Sequence, residues 1–369
     1  MKKIVSLLIA AVMVMALAIP AFAAEGGNKI TVLVPNADHG WTGAVMTYAE
    51  EYAAEILEAG DYDINVITST DASNQIQQVE DLIENATADF VVILPQDNTL
   101  ENAMRKLADS GIPYVMFDRI IESASEKAVA SVKGDNNGIG AVTAERFIEQ
   151  GMQPGDGIVI MPGDNSSVPT MRNDGFYEVL RENGWTEEQL AEIYSTDYTG
   201  WSRSKSKELF VNYLDTHTVE EIQANKWIFT HDDEIAMGIL EALKSSEIDQ
   251  EKKEAFLNAD IHLATSSGLN EIYSVLKGIH QKDYTEEVAS LADLFSVTYD
   301  PAMIKTAIDD MIAYINGEDV AQDHVIPVSV VDAENVSEFQ GFGDAVAIEG
   351  IEDVIEEIVD GIIEELDAE

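Results

Sequence analysis

From Lys29 onward the chain keeps one rhythm: a short apolar run without alternation, then a longer stretch whose apolar residues recur every three or four positions. ITVLVP (30–35), INVITS (64–69), FVVIL (90–94) and YVMF (114–117) read as strands. A strand that is apolar along its whole length is buried on both faces, as in a parallel sheet covered by its own crossover helices. The intervening stretches supply those helices. Residues 44–60 carry Val45, Tyr48, Tyr52, Ile56 and Leu57 on one stripe, and 74–86 place Ile76, Val79 and Ile83 together. Residues 99–111 close on Gly111, a C-terminal cap. After ESASEK (122–127) the rhythm restarts with AVASVKGDN (128–136), GIVIMPGDN (157–165) and KWIFT (226–230), separated by helical patterns. Asp300-Pro301 opens a later helix that Gly317 ends. The reading is α/β, with two Rossmann-like lobes built on parallel sheets and right-handed crossovers.

The first 23 residues set Lys2 and Lys3 before an apolar run and end on Ala21-Phe22-Ala23, a secretory leader with a small-x-small cleavage pattern. Pro20 interrupts the run before it reaches the roughly 20 residues of a membrane span. Cleavage leaves about 346 residues, more than one core usually serves, which again points to two domains. There is no cysteine, so disulfides, thiolate nucleophiles and thiolate metal sites are excluded. The formal charge of −48 repels nucleic acid and anionic membranes, and an acidic ligand would approach uphill. Residues 348–369 form an acidic amphipathic helix, read as packing on a lobe.

In open α/β sheets ligands bind outside the carboxyl ends of the strands. The polar residues just past each strand are His39 and Trp41, then Asp118 and Arg119, then Asn165, then Asp232; Arg172 and Trp201 open two further helices, and SLADLFSVT ends at Thr298. Carboxylate, amide and guanidinium groups hold adjacent hydroxyls by paired hydrogen bonds, and an indole face suits the CH-rich face of a sugar ring. The set fits a neutral polyol. It fits a phosphate poorly, because no phosphate-cradling glycine loop is present, and GDNNGIG lacks the third glycine of a dinucleotide fingerprint. His39 and His231 have no metal-ligand spacing. The duller readings are a surface pair at Asp118 and Arg119, worth a few tenths of a kcal/mol, and core roles for the tryptophans. Adjacent residues on an extended chain point to opposite faces, which argues against Asp118 pairing with Arg119.

These residues resemble the periplasmic sugar-binding proteins of ABC transporters, of the ribose, galactose and xylose type, over roughly residues 29–336. GIPYVMFDR (111–119) is the most specific match, and the resemblance implies that Asp118 and Arg119 bind hydroxyls. VPNADHGWTGAV (34–45) resembles the first strand-turn-helix, with His39 and Trp41 at the contact positions. PGDNSSVPTMRNDGF (162–176) carries Asn165 and Arg172, and YTGWSRSK (198–205) carries Trp201 as the second stacking ring. FTHDDEIAMG (229–238) is similar to Asn-Asp-x-x-Ala-x-Gly with Asp232 in place of the ligand-binding Asn, and Thr298 falls near a position often Gln or Asn. LATSSG (263–268) stands where Gly-x-Asp is usual.

The resemblance implies the type I periplasmic binding protein fold. Its lobes, 28–133 with 299–326 and 134–298 with 327–347, are joined by a hinge of three crossings near Lys133, Thr298 and Pro327. It implies an exported, monomeric solute-binding protein of the periplasm or extracytoplasmic face. Such a protein captures a neutral monosaccharide and delivers it to an ABC-transporter permease, with no enzymatic activity, no cofactor, no metal, no nucleic-acid partner and no membrane insertion after signal cleavage. The alternative within the same cleft is a sensor that presents a sugar or autoinducer-type ligand to a chemoreceptor or kinase. A transcription regulator of the same fold would need a basic helix-turn-helix where the leader stands. An exported glycosidase would need a positioned carboxylate pair that no motif supplies.

Overall fold

A computed structural model describes residues 29–36, 40–60, 62–246, 248–279 and 284–343. The leader, the 348–369 helix and His39 lie outside the described residues.

The strands fall into two six-stranded sheets. The first contains β1 (Lys29–Pro35), β2 (Asp63–Ser69), β3 (Phe90–Ile93), β4 (Tyr114–Phe117), β5 (Ala130–Gly134) and, much later in the chain, β11 (Asp323–Ile326), in the order β11-β5-β4-β3-β1-β2. Every pairing in it is parallel. The second contains β6 (Ile158–Met161), β7 (Tyr194–Ser195), β8 (Trp227–Thr230), β9 (Ile261–Thr265), β10 (Leu291–Thr298) and β12 (Ser329–Val331), in the order β12-β10-β9-β8-β6-β7. Only the β10–β12 pair is antiparallel. β4, β6 and β8 are buried at every position, as continuous apolar strands between helical layers require. β11 and β12 escape sequence reading because they are short edge strands with half-exposed positions.

The chain passes between the sheets three times: from β5 into the helix Asn136–Glu149, from β10 to the helix Ile304–Ile315 on the first sheet, and from β11 to β12. The capping residues act as the sequence suggests. Gly111 takes a φ of 85° at a helix end, Gly317 one of 78°, and the Asp300 carboxylate accepts the Ala302 N–H at 2.8 Å ahead of Pro301. One helical stripe shifts. In α1 (Gly40–Ala59) the buried face runs Trp41, Val45, Ala49, Ala53, Ile56, while Leu57 is 49 % exposed. The small alanines let this helix lie close to the sheet, which puts the bulkier Tyr48 and Tyr52 at the edge beside Lys305.

In the second lobe α2 (Asn136–Glu149) and α3 (Ser167–Glu182) pack backbone to backbone. A Cβ on Gly140 would lie 1.8 Å from the Arg172 carbonyl oxygen, and one on Gly175 would lie 2.0 Å from that of Asn137. These glycines set the height of the helix that carries Arg172. Gly140→Ala is expected to destabilise the protein by about 3 kcal/mol in urea unfolding, the upper range for overpacking against backbone that cannot yield.

Candidate functional site

The carboxyl ends of the two sheets face each other across a small cavity of about 30 Å³. Trp41, Asp118, Arg119, Val168, Arg172, Trp201, Asp232, Ser266, Ser267 and Tyr299 line it. The strand-end rule therefore brings six of the nine expected residues together. Asn165 and Thr298 do not line the cavity. Asn165 is exposed, and it is its main-chain carbonyl that accepts the Asn98 side-chain N–H at 3.0 Å, a bond between the two lobes. The Thr298 hydroxyl turns back to the Ser267 carbonyl at 2.7 Å. Neighbouring landmarks in the sequence fix a loop but not the direction of a side chain.

The first lobe supplies a ring, a carboxylate and a guanidinium. Trp41, in the first turn of α1, stacks on Phe117 at 6.1 Å and 12°, and meets Tyr299 edge-on at 5.9 Å. Asp118 leaves β4 with its N–H on the Val132 carbonyl at 2.8 Å. The expectation that Asp118 and Arg119 diverge fails, because the chain is not extended there. Asp118 has a φ of 59°, the Arg119 N–H returns to the Phe117 carbonyl at 2.7 Å, and both side chains line the cavity. Arg119 donates to the Gln96 carbonyl and reaches Asp164 of the other lobe at 3.8 Å, while its Nε–H has no partner among the described residues.

The second lobe mirrors this. Arg172 on α3 donates from Nε to Asn136 Oδ1 at 2.9 Å and also to the His231 carbonyl, with its guanidinium 5.8 Å from the Trp201 ring centre. Trp201 has a φ of 58°, and its ring covers Gly163, where a Cβ would stand 2.3 Å from the indole. Asp232 caps α4 (Asp233–Leu243) by accepting the Glu234 N–H at 2.8 Å. The buried Asp233 carboxylate beside it accepts from Thr265 Oγ1 (2.8 Å), Ser296 Oγ (3.2 Å), Gly268 N (2.8 Å) and Leu269 N (2.7 Å). It thereby fixes the Ser266–Gly268 turn in which Ser267 has a φ of 122°. Of the five described non-glycine residues with positive φ, Asp118, Trp201 and Ser267 all line this cavity. Such conformations cost roughly 1–3 kcal/mol each and collect where function requires them.

Sequence reading missed Tyr299, Val168, Ser266 and Ser267 as lining residues. Tyr299 obeys the rule that found the others, since it follows β10 directly. Its hydroxyl lies 3.0 Å from Asp118 Oδ1 and 3.3 Å from Asn136 Oδ1, so it ties a group of the first sheet to the helix that orients Arg172. Burial raises the Asp118 carboxyl above its ordinary range, partly offset by Arg119. Burial and the neighbouring Asp233 charge raise Asp232 well above it. His231 is held neutral by burial and by Arg172, with Nε2 3.1 Å from Asn173 Oδ1.

Burial pushes Asp233 up to about 6 from an ordinary 3.8, against the pull of its four donors. A folded-state value above the unfolded one means that this group favours folding most below 3.8 and loses that contribution as pH rises through 6. From well below 3.8 to well above 6 the total loss is about 3 kcal/mol. Asp233→Asn cannot titrate. Urea unfolding of the two proteins is expected to show wild type gaining about 2 kcal/mol relative to Asp233→Asn as pH is lowered from about 7 to about 4.

The chain is similar to known proteins over most of its length. A family model described as a periplasmic binding protein domain matches residues 30–319. The ribose import binding protein of Bacillus subtilis is 29% identical over 185 residues, which cover 50% of this chain and 55% of that protein. A putative rhizopine-binding protein of Rhizobium meliloti is 26% identical over 333 residues, covering 85% of this chain and 97% of that one. Among solved structures, a Caulobacter myo-inositol binding protein bound to myo-inositol superposes with a TM-score of 0.67 at 19% identity, covering 85% of this chain and 96% of that one. A galactofuranose binding protein gives 0.66 at 19% identity, covering 84% and 96%. These structures share the two-lobed fold.

Proposed function

Since the chain belongs to the periplasmic binding protein domain family, we propose that it captures a monosaccharide or a polyol of similar size between its lobes and hands it to the permease of an ABC transporter. The observation that carries this reading is the cavity itself. Two indoles, two carboxylates and two guanidiniums converge there from the strand ends of opposed sheets. Flat rings cover the apolar face of a sugar ring with little entropy loss, and planar charged groups take its edge hydroxyls in pairs. Each hydroxyl buried without a partner would cost about 1–3 kcal/mol, so the density of polar groups is what full enclosure demands.

The lobes are assigned to residues 28–133 with 299–326 and to 134–298 with 327–347, the three passages between the sheets forming the hinge. Closure is supported by contacts between the lobes, Asn98 to the Asn165 carbonyl outside the cavity and Arg119 to Asp164 at its wall, which give a closed shape for a permease to read. The protein acts as a monomer and binds rather than catalyses, as its family does. It works on the extracytoplasmic side after loss of the leader. No helix among the described residues is long and apolar enough to cross a membrane.

The test is tryptophan fluorescence and isothermal titration against pentoses, hexoses and inositols. Trp41→Ala and Asp118→Ala are each expected to weaken binding by about 100-fold, equivalent to roughly 2.7 kcal/mol. Asn165→Ala, which removes only an exposed side chain, should leave the dissociation constant within about twofold. Absence of binding across a full panel by folded protein would sink the reading.

A further inference from the structure

The segment 348–369 is a feature of the sequence that capture of a sugar does not use. Eight aliphatic residues from Ile351 to Leu366 recur every three or four positions, the stripe of an amphipathic helix. By itself such a helix is poorly stable. Residues 344–369 hold eleven acids and no base, like charges fall at i,i+4 in Asp353 with Glu357 and in Glu356 with Asp360, and Gly361 interrupts the run. The stripe therefore needs a surface that covers it.

The described chain stops beside one. Residues 340–343 help to line a groove of about 990 Å³ that shares no lining residue with the cavity. One bank is the first half of α1 in the first lobe, with Gly40, Gly43, Ala44, Thr47 and Tyr48; the other is Leu269, Asn270 and Phe342 of the second. Phe342 is fixed there, its N–H on the Gly268 carbonyl at 3.0 Å and its carbonyl accepting the Asn270 N–H at 2.8 Å, while Asn270 Nδ2 donates to the Gly343 carbonyl at 2.9 Å. The banks touch, since a Cβ on Gly40 would stand 3.0 Å from Leu269 Cδ1 and 3.2 Å from a ring carbon of Phe342. The span from Ile351 to Leu366, as a helix sunk to its axis, is a half-cylinder about 24 Å long and about 5 Å in radius, on the order of 900 Å³, which matches the groove. Glu234 and Glu271 on the second bank are held by Arg203 at 2.6 and 2.7 Å. Lys305, with its ammonium 5.6 Å from the Tyr48 ring centre, stands at the rim and makes no ion pair among the described residues, so an acidic helix finds a base there.

We propose that residues 348–366 of this chain occupy the groove as a helix, stripe inward and acids outward, packed on both lobes at once. Residues 344–347 lead to it directly from Gly343, and so short a tether holds the segment at about millimolar effective concentration, ahead of a second molecule competing for the same surface. Because the two banks belong to different lobes, the docked segment adds a contact between them outside the cavity, and it does so whatever ligand the cavity takes.

Hydrogen–deuterium exchange of the mature protein, first at about 1 µM, tests this. Amides of 351–366 are expected to exchange at least about tenfold more slowly than in an unstructured chain. The triple variant Ile355→Asp, Ile358→Asp and Ile362→Asp lies outside both lobes; it is expected to erase that protection and to speed exchange at both banks, 40–48 and 268–272, by about threefold or more. Thr47→Asp, at an exposed position of α1, is expected to release the segment in the same way. Segment amides that are unprotected in wild type overturn the proposal. Protection that survives Thr47→Asp overturns it, because the segment then packs elsewhere, and so does a triple variant that loosens one bank alone, because the segment then lies on a single lobe. Protection that grows between about 1 and about 100 µM overturns it as well, since the stripe is then covered by a second copy of the chain.

Discussion

Parallel strands joined by right-handed crossovers have all their carboxyl ends on one edge of the sheet, and this directionality governs the whole molecule. Trp41, Asp118, Arg119, Asp232, Ser266, Ser267 and Tyr299 are distant in sequence, yet each lies shortly after the end of a strand. Two sheets built the same way and set edge to edge turn two rows of loop residues into one enclosed cavity. The continuous apolar strands are what make the arrangement stable, since β4, β6 and β8 contribute no exposed face and leave their polar residues only at the tips.

Holding those tips in place requires backbone that most residues avoid. Asp118, Trp201 and Ser267 all adopt positive φ at the cavity wall, and each is held by other contacts. The Val132 carbonyl takes the Asp118 N–H, the Pro162 and Gly163 carbonyls anchor the turn that presents Trp201, and the Asp233 carboxylate gathers the Ser267 turn. Gly163 contributes by having no side chain, which lets the indole lie on the backbone. The strain is local and the restraints are spread over both neighbouring strands, so each lobe holds its own cavity-facing groups in a fixed geometry.

Tyr299 links the two halves of this geometry. It sits at the second passage between the lobes, its ring packs where Gly134 leaves the first passage, and its hydroxyl lies between Asp118 and Asn136. Asn136 in turn orients Arg172. A single hydroxyl thus connects a carboxylate of one lobe to the amide that orients a guanidinium of the other. Charge follows the same logic. Asp118 is offset by Arg119 and Tyr299, whereas Asp232 is raised by burial and by its neighbour, with a capping N–H as the main offset.

The sequence by itself determined the class of fold, most strand positions, the caps at Gly111, Asp300 and Gly317, and six of the residues that meet in the cavity. These are properties of local pattern: strand burial shows as continuous apolar runs, and a strand that stops in charge marks its functional end. Tertiary structure decided what depends on direction and contact. Edge strands β11 and β12 carry too little apolar pattern to be read. Asn165 lies in the right loop with its side chain turned outward, and Thr298 bonds its neighbouring turn while Tyr299, one residue on, faces the cavity. A positive φ at Asp118 sends two adjacent side chains into one space where an extended chain would part them. Sequence spacing specifies where a loop begins, but the backbone dihedrals within it, fixed by hydrogen bonds from distant strands, select which atoms face the ligand.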